Sequence, residues 1–87
     1  MAPPTPEEHH AVLVAIRDSE VRFVTDGEGP PIYDVPAEIN PALVNRAVEL
    51  GLAALEEPTR VGLSVVQDVR LTAVGEQRLS DETWPER

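Results

Sequence analysis

The stretch from Asn40 to Leu79, NPALVNRAVELGLAALEEPTRVGLSVVQDVRLTAVGEQRL, constrains the fold of this chain more than any other. It opens on a helix with both ends marked. Asn40 is a good N-cap, and Pro41 suits the first helical position, where its missing N–H costs nothing. Leu43, Ala47 and Leu50 recur at i, i+4 and i+7 with Val44 and Val48 beside them, giving one apolar face. Ala42, Asn45, Arg46 and Glu49 fall on the other. Gly51 stands at the C′ position, where a left-handed residue ends a helix. Leu52 to Glu56 then reads as a short strand and Glu57-Pro58-Thr59-Arg60 as a turn or a flexible tip. In the next run Val61, Leu63, Val65, Val69 and Leu71 share one parity, and Gly62, Ser64, Asp68 and Arg70 hold the other. Val66 and Gln67 interrupt the alternation, which otherwise predicts a half-buried returning strand over 61–71. Thr72 caps a closing helix from Ala73 to Ser80.

The first half is less regular. Thr5-Pro6-Glu7-Glu8 is a helix start with Thr5 as cap, Pro6 at the first position and Glu8 placed for a capping box. Val12, Leu13 and Ile16, with Ala15, supply its buried face, and the helix is expected to end near Asp18-Ser19. Val21 to Val24 reads as a strand, Thr25 to Pro31 (TDGEGPP) as a turn-rich loop, and Ile32 to Val35 as a second strand closing a hairpin. Pro36 to Ile39 has room for one helical turn. The expected organisation is a disordered N-terminus over 1–4, one α+β domain over 5–80, and a flexible acidic tail over 81–87. The expected core is Val12, Leu13, Ile16, Leu43, Ala47, Val48, Leu50, Leu63, Val65, Val69, Leu71 and Leu79.

Composition narrows the classes of function. Eighty-seven residues make a single small core. Cysteine is absent, so disulfide and thiolate chemistry are excluded. No apolar run spans a membrane and nothing resembles a signal peptide, so a cytoplasmic protein is expected. The net charge is −9, unevenly spread. Residues 1–40 hold eight acids against two arginines, a balance of −6. Residues 41–80 hold five acids against four arginines, a balance of −1. There is no grouping of serine or histidine that pairs a nucleophile with a base, and DGEGPP lacks the spacing and lysine of a phosphate loop. The Glu7-Glu8 and Glu56-Glu57 pairs read as solvated ends of elements. His9 and His10, adjacent on a helix, point about 100° apart and do not share one metal ion easily. No catalytic residue, metal site or cofactor is therefore expected.

The pieces VNRAVELGLAAL and VRLTAVGEQRL resemble winged-helix regulators, MarR-type ones especially. The resemblance implies a recognition helix over Leu43–Leu50 ending in an ELGL-like turn, and a wing over Leu52–Leu71. The wing's second strand then runs into Leu71-Thr72-Ala73-Val74-Gly75 and a closing helix. It covers about half the chain. Where that family carries the first helix of the helix-turn-helix, this sequence offers a hairpin or loop, so the usual brace for the recognition helix is degenerate.

Two readings of function follow. In the favoured one the domain is an acidic, non-enzymatic interaction or regulatory module acting on a protein partner, such as a basic nucleic-acid-binding protein. Asp26, Glu28, Asp34 and Glu38 would contribute, with Trp84 as an anchor; the plainer role for Trp84 is a ring folded back on the domain. The alternative is a DNA-binding transcriptional regulator, with Asn45, Arg46 and Glu49 facing the major groove and Arg60 and Arg70 on phosphate. In the plainer role for Arg46 it pairs with Glu49 at i+3. The short closing helix, with Val74 and Leu79 its only large apolar residues, predicts a monomer or weak dimer.

Overall fold

The computed structural model describes residues 4–84. Three helices and five strands form one α+β unit, in the order α1 (Pro6–Arg17), β1 (Arg22–Thr25), β2 (Ile32–Asp34), α2 (Pro41–Glu49), β3 (Ala53–Leu55), β4 (Thr59–Val61), β5 (Ser64–Leu71) and α3 (Ala73–Asp81). Every connection in the sheet is antiparallel. The last strand, β5, lies in the middle, with β1 and then β2 on one side and β3 and β4 on the other.

The helices start where the caps predict. The Thr5 hydroxyl accepts from Glu8 N at 3.1 Å, Asn40 Oδ1 from Ala42 N at 2.9 Å, and the Thr72 hydroxyl from Gly75 N at 3.1 Å. All three end in the same way, with a left-handed residue and a paired backbone closure. In α2 that residue is Gly51, at φ 80°, with Leu52 N bonded to Ala47 O and Gly51 N to Val48 O. Ser19 (φ 61°) closes α1 and Glu82 (φ 54°) closes α3, both without a glycine.

One core forms where the helices cover the inner face of the sheet. Val12, Leu13, Ala15 and Ile16 of α1 meet Leu43, Val44 and Ala47 of α2 and Val69 of β5. Val21, Ile39, Leu52 and Ala53 are also buried, although they were not among the expected core residues. Val48, Leu50, Val65, Leu71 and Leu79 are half-buried. The expected single turn at 36–39 is present as a bond from Ile39 N to Pro36 O, and it is all that precedes α2.

The hairpin after β3 departs from expectation. The run 61–71 is not one strand, and Glu57–Arg60 is not its turn. The chain reverses at Gly62-Leu63, between the paired residues Val61 and Ser64. Gly62 has φ 61°, so the first central position alone is left-handed, as in a type II′ hairpin. Leu63, expected in the core, is therefore a turn residue and 87% exposed. Val61 is 60% exposed, because residues paired across a two-residue turn share a face and the parity of the alternation flips there. Between β3 and β4, residues 56–58 lie opposite only residues 67 and 68, a β-bulge. The Gln67 amide fills it by donating to Glu56 O at 2.9 Å.

The junction of α2, β3 and α3 is tightly built. Thr72 N donates to Leu52 O at 2.9 Å, and the Thr72 hydroxyl donates to Gly51 O at 2.6 Å. Gly75, one turn into α3, lies directly against the Leu52 carbonyl, and a Cβ there would overlap its oxygen. The Thr72-x-x-Gly75 spacing thus sets a hydroxyl and a bare Cα against the same turn.

Of the expected disordered N-terminus over 1–4 and flexible tail over 81–87, residues 1–3 and 85–87 lie outside the described residues. Asp81 closes α3 and Trp84 packs on the core.

Candidate functional site

Strand register divides the polar residues between two faces. Tyr33, Phe23 and Gln67 are cross-strand partners and lie on the helix side of the sheet. The Tyr33 hydroxyl confirms that side by donating to Asn45 Oδ1 of α2 at 3.4 Å. Phe23 packs against the Tyr33 ring, with centroids 4.8 Å apart. Burial, and secondarily the charge of Glu49, push the Tyr33 phenol above its ordinary pKa. Among the described residues no helix lies on the other side of the sheet. There Arg22 stands between Asp34 and Asp68, its ion pair to Asp68 spanning 3.7 Å. Val24 stands between Ile32 and Val66, and neither Val24 nor Val66 belongs to the core.

The five residues singled out for DNA do not share one surface. Asn45, Arg46 and Glu49 are together on α2, but Asn45 is engaged by Tyr33 and Arg46 reaches Glu49 at 3.3 Å. That contact is the local i, i+3 pair. Arg60, opposite Val65, is exposed on the side of the sheet that carries α2. Arg70, opposite Ala54 and in register with Asp68, points out on the far side. A strip joining Arg46, Arg60 and Arg70 would have to cross the sheet.

The acidic residues fare differently. Asp26 and Glu28 lie in the β1–β2 loop, which meets the Gly62-Leu63 turn at one end of the sheet. Ser64 donates to Asp26 Oδ1 at 2.6 Å there, and Gly27 approaches Leu63 O. A shallow cleft between the two loops is lined by Asp26, Glu28, Leu63 and Ser64. Asp34 is on the outer face of β2, and Glu38 sits apart in the single turn before α2.

Trp84 lies elsewhere again. Its ring stacks on His9 with centroids 4.3 Å apart and planes 11° from parallel, which ties the end of α3 to the start of α1. A cleft of about 340 Å³ beside it is lined by Pro6, His9, His10, Leu13 and Arg78 among others. Trp84 is thus folded back on the domain, the plainer of its two expected roles, and His9 as its partner is not legible in the sequence because the two rings come from opposite ends of the chain. Among the described residues no helix is long and apolar enough to cross a membrane.

In comparisons with family models, with curated proteins and with solved structures, nothing matched this chain.

Proposed function

We propose that the chain is a winged-helix-type interaction module, non-enzymatic, that acts through a protein partner and not by gripping duplex DNA. The order α2, β3, hairpin, α3, with Thr72 and Gly75 packed on the turn after α2, supports the winged-helix part of the reading. One observation carries the rest. Arg46 is paired within α2, and Arg70 lies on the opposite side of the sheet from Arg60. The brace normally given by a preceding helix is reduced to the turn at 36–39.

The consequence for DNA is quantitative. Each phosphate contact contributes a slope of about −0.9 to log K against log salt. With Arg46 and Arg60 as the contacts on one side, the slope is about −2 per monomer, and the electrostatic term works against a net charge of −9. The test is a titration of labelled mixed-sequence duplex at low and at physiological salt, with Arg46→Ala alongside. The expected result is no measurable binding at physiological salt. Submicromolar binding there, abolished in Arg46→Ala, would replace this reading with that of a DNA-binding regulator.

A further inference from the structure

The uncovered side of the sheet is more apolar than a solvated face needs to be. Ile32, Val24 and Val66 form a continuous row across β2, β1 and β5, through the pairs Val24–Ile32 and Val24–Val66. Thr59 and then Val61 of β4 extend the surface beyond Val66 and Ser64. Of the four large apolar side chains exposed among the described residues, Ile32, Val61 and Leu63 all belong to this face or to the turn at its end. The fourth, Val74, stands alone on α3, and a single exposed aliphatic needs no explanation. Charge borders the row unevenly. At the loop end stand Asp26 and Glu28; along one side run Asp34–Arg22–Asp68 and, beyond Asp68 on the same face, Arg70, so the charges balance there and the acidic excess lies at the loop end. Clustered apolar surface with a polar rim marks an interaction site.

The rim decides what fits. An aliphatic row with its acidic excess at the loop end, from Asp26 and Glu28, complements a segment with an apolar stripe and a basic flank. Strand addition is the weaker alternative, because both open edges are blunted. β2 and β4 are three residues each, with Pro31 and Pro58 just before them and a bulge next to β4. The face remains, and a helix laid across it presents a stripe at i, i+3, i+4 and i+7.

We propose that the outer face of the sheet, centred on Ile32, Val24 and Val66 and bordered by Asp26, Glu28 and Asp34, docks a basic amphipathic helix of a partner protein. This rests on the interaction reading above and names its surface. The probe is a designed peptide of roughly 18 residues, five helical turns, with a leucine stripe and lysine flanks. A second peptide of the same composition with the stripe scrambled, and a third with glutamate for lysine, serve as controls. Binding to the isotope-labelled full chain is followed by amide chemical shifts and calorimetry. The striped basic peptide is expected to shift residues 22–24, 32–34 and 61–68, and both controls to bind at least about tenfold more weakly, a difference of about 1.4 kcal/mol. Ile32→Ser, at a position exposed enough to leave folding intact, should weaken binding about tenfold, and Val74→Ser should not. Asp26→Asn with Glu28→Gln should flatten its salt dependence. Equal binding of the scrambled peptide would overturn the proposal. So would a tight dimer in light scattering that Ile32→Ser dissolves, because a second copy would then own the face. Shifts confined to α2 would overturn the face while leaving a protein partner standing. DNA binding without peptide binding would overturn both.

Discussion

Alanine in place of Gly75 gives the sharpest test of the junction that holds α2, β3 and α3 together. Helix propensity alone predicts a gain, because alanine in a helix is better than glycine by about 1 kcal/mol. The structure predicts a large loss. The new Cβ would overlap the Leu52 carbonyl oxygen, and that oxygen is fixed by the bond from Thr72 N while Gly51 O is fixed by the Thr72 hydroxyl. Relief requires α3 to lift away from the turn. Overpacking of this kind costs about 1–3 kcal/mol. Each of the two hydrogen bonds loosened adds about 0.5–1.5 kcal/mol. Less the propensity gain, the net loss is about 1–5 kcal/mol, against about 5–10 kcal/mol for the whole of a small domain. Two other glycines calibrate it. Gly51 has open space around it but φ 80°, so Gly51→Ala should cost about 1–2 kcal/mol from backbone strain alone. Gly29 has open space and no positive φ, so Gly29→Ala should stay within about 0.5 kcal/mol. Urea unfolding followed by circular dichroism and by the single tryptophan should rank the three in that order. If Gly75→Ala matched Gly29→Ala, or stabilised the protein, the close approach of α3 to Leu52 would be wrong.

Ser19→Gly should stabilise the protein by about 0.5–1 kcal/mol in the same assay, because it relieves a left-handed serine while adding entropy to the unfolded chain. Leu43→Ala should cost about 2–5 kcal/mol and Leu63→Ser less than about 0.5, since the first is buried and the second is in the hairpin turn. Alkaline stability should report on Tyr33 alone among the side chains between about pH 9 and 11.5, because the chain has one tyrosine, no cysteine and no lysine. The folded phenol titrates above its unfolded value, so its contribution is whole below about pH 10 and is lost as pH rises through the raised folded value. Tyr33→Phe should remove that decline, and tyrosinate absorbance should rise later in the folded protein than in urea.

Local signals made the helices legible. Thr5, Asn40 and Thr72 act on their own next turn, and Gly51 stops α2 without help from the rest of the fold. The β4–β5 hairpin was less legible for a physical reason. Val61-Gly62-Leu63-Ser64-Val65 alternates evenly through a two-residue turn, so the pattern continues while the face it describes changes sides. That one turn removed Leu63 from the core. The faces of Arg60 and Arg70 were equally out of reach of the sequence, because they depend on register across the hairpin and not on spacing along the chain. Val21, Ile39, Leu52 and Ala53 lie at the ends of elements, where no repeat exists to mark them as buried. Asp26 and Glu28 were singled out by charge, but their meeting with the hairpin turn is a contact between distant loops.

The central strand is also the last to be made. β1 cannot be joined on its second side, nor β3 and β4 paired at all, until residues 64–71 are present. A chain lengthening from its N-terminus therefore carries α1, the β1–β2 hairpin and α2 with most of their sheet partnerships unmade. A nascent chain shorter than about seventy residues would expose the inner aliphatic side of β1 and the apolar stripe of α2 to whatever is nearby. Such late, non-local pairing slows folding relative to a helical domain of equal size. A truncation before Ser64 therefore removes every pairing of β1 with β5, of β3 and of β4, and leaves only the β1–β2 hairpin.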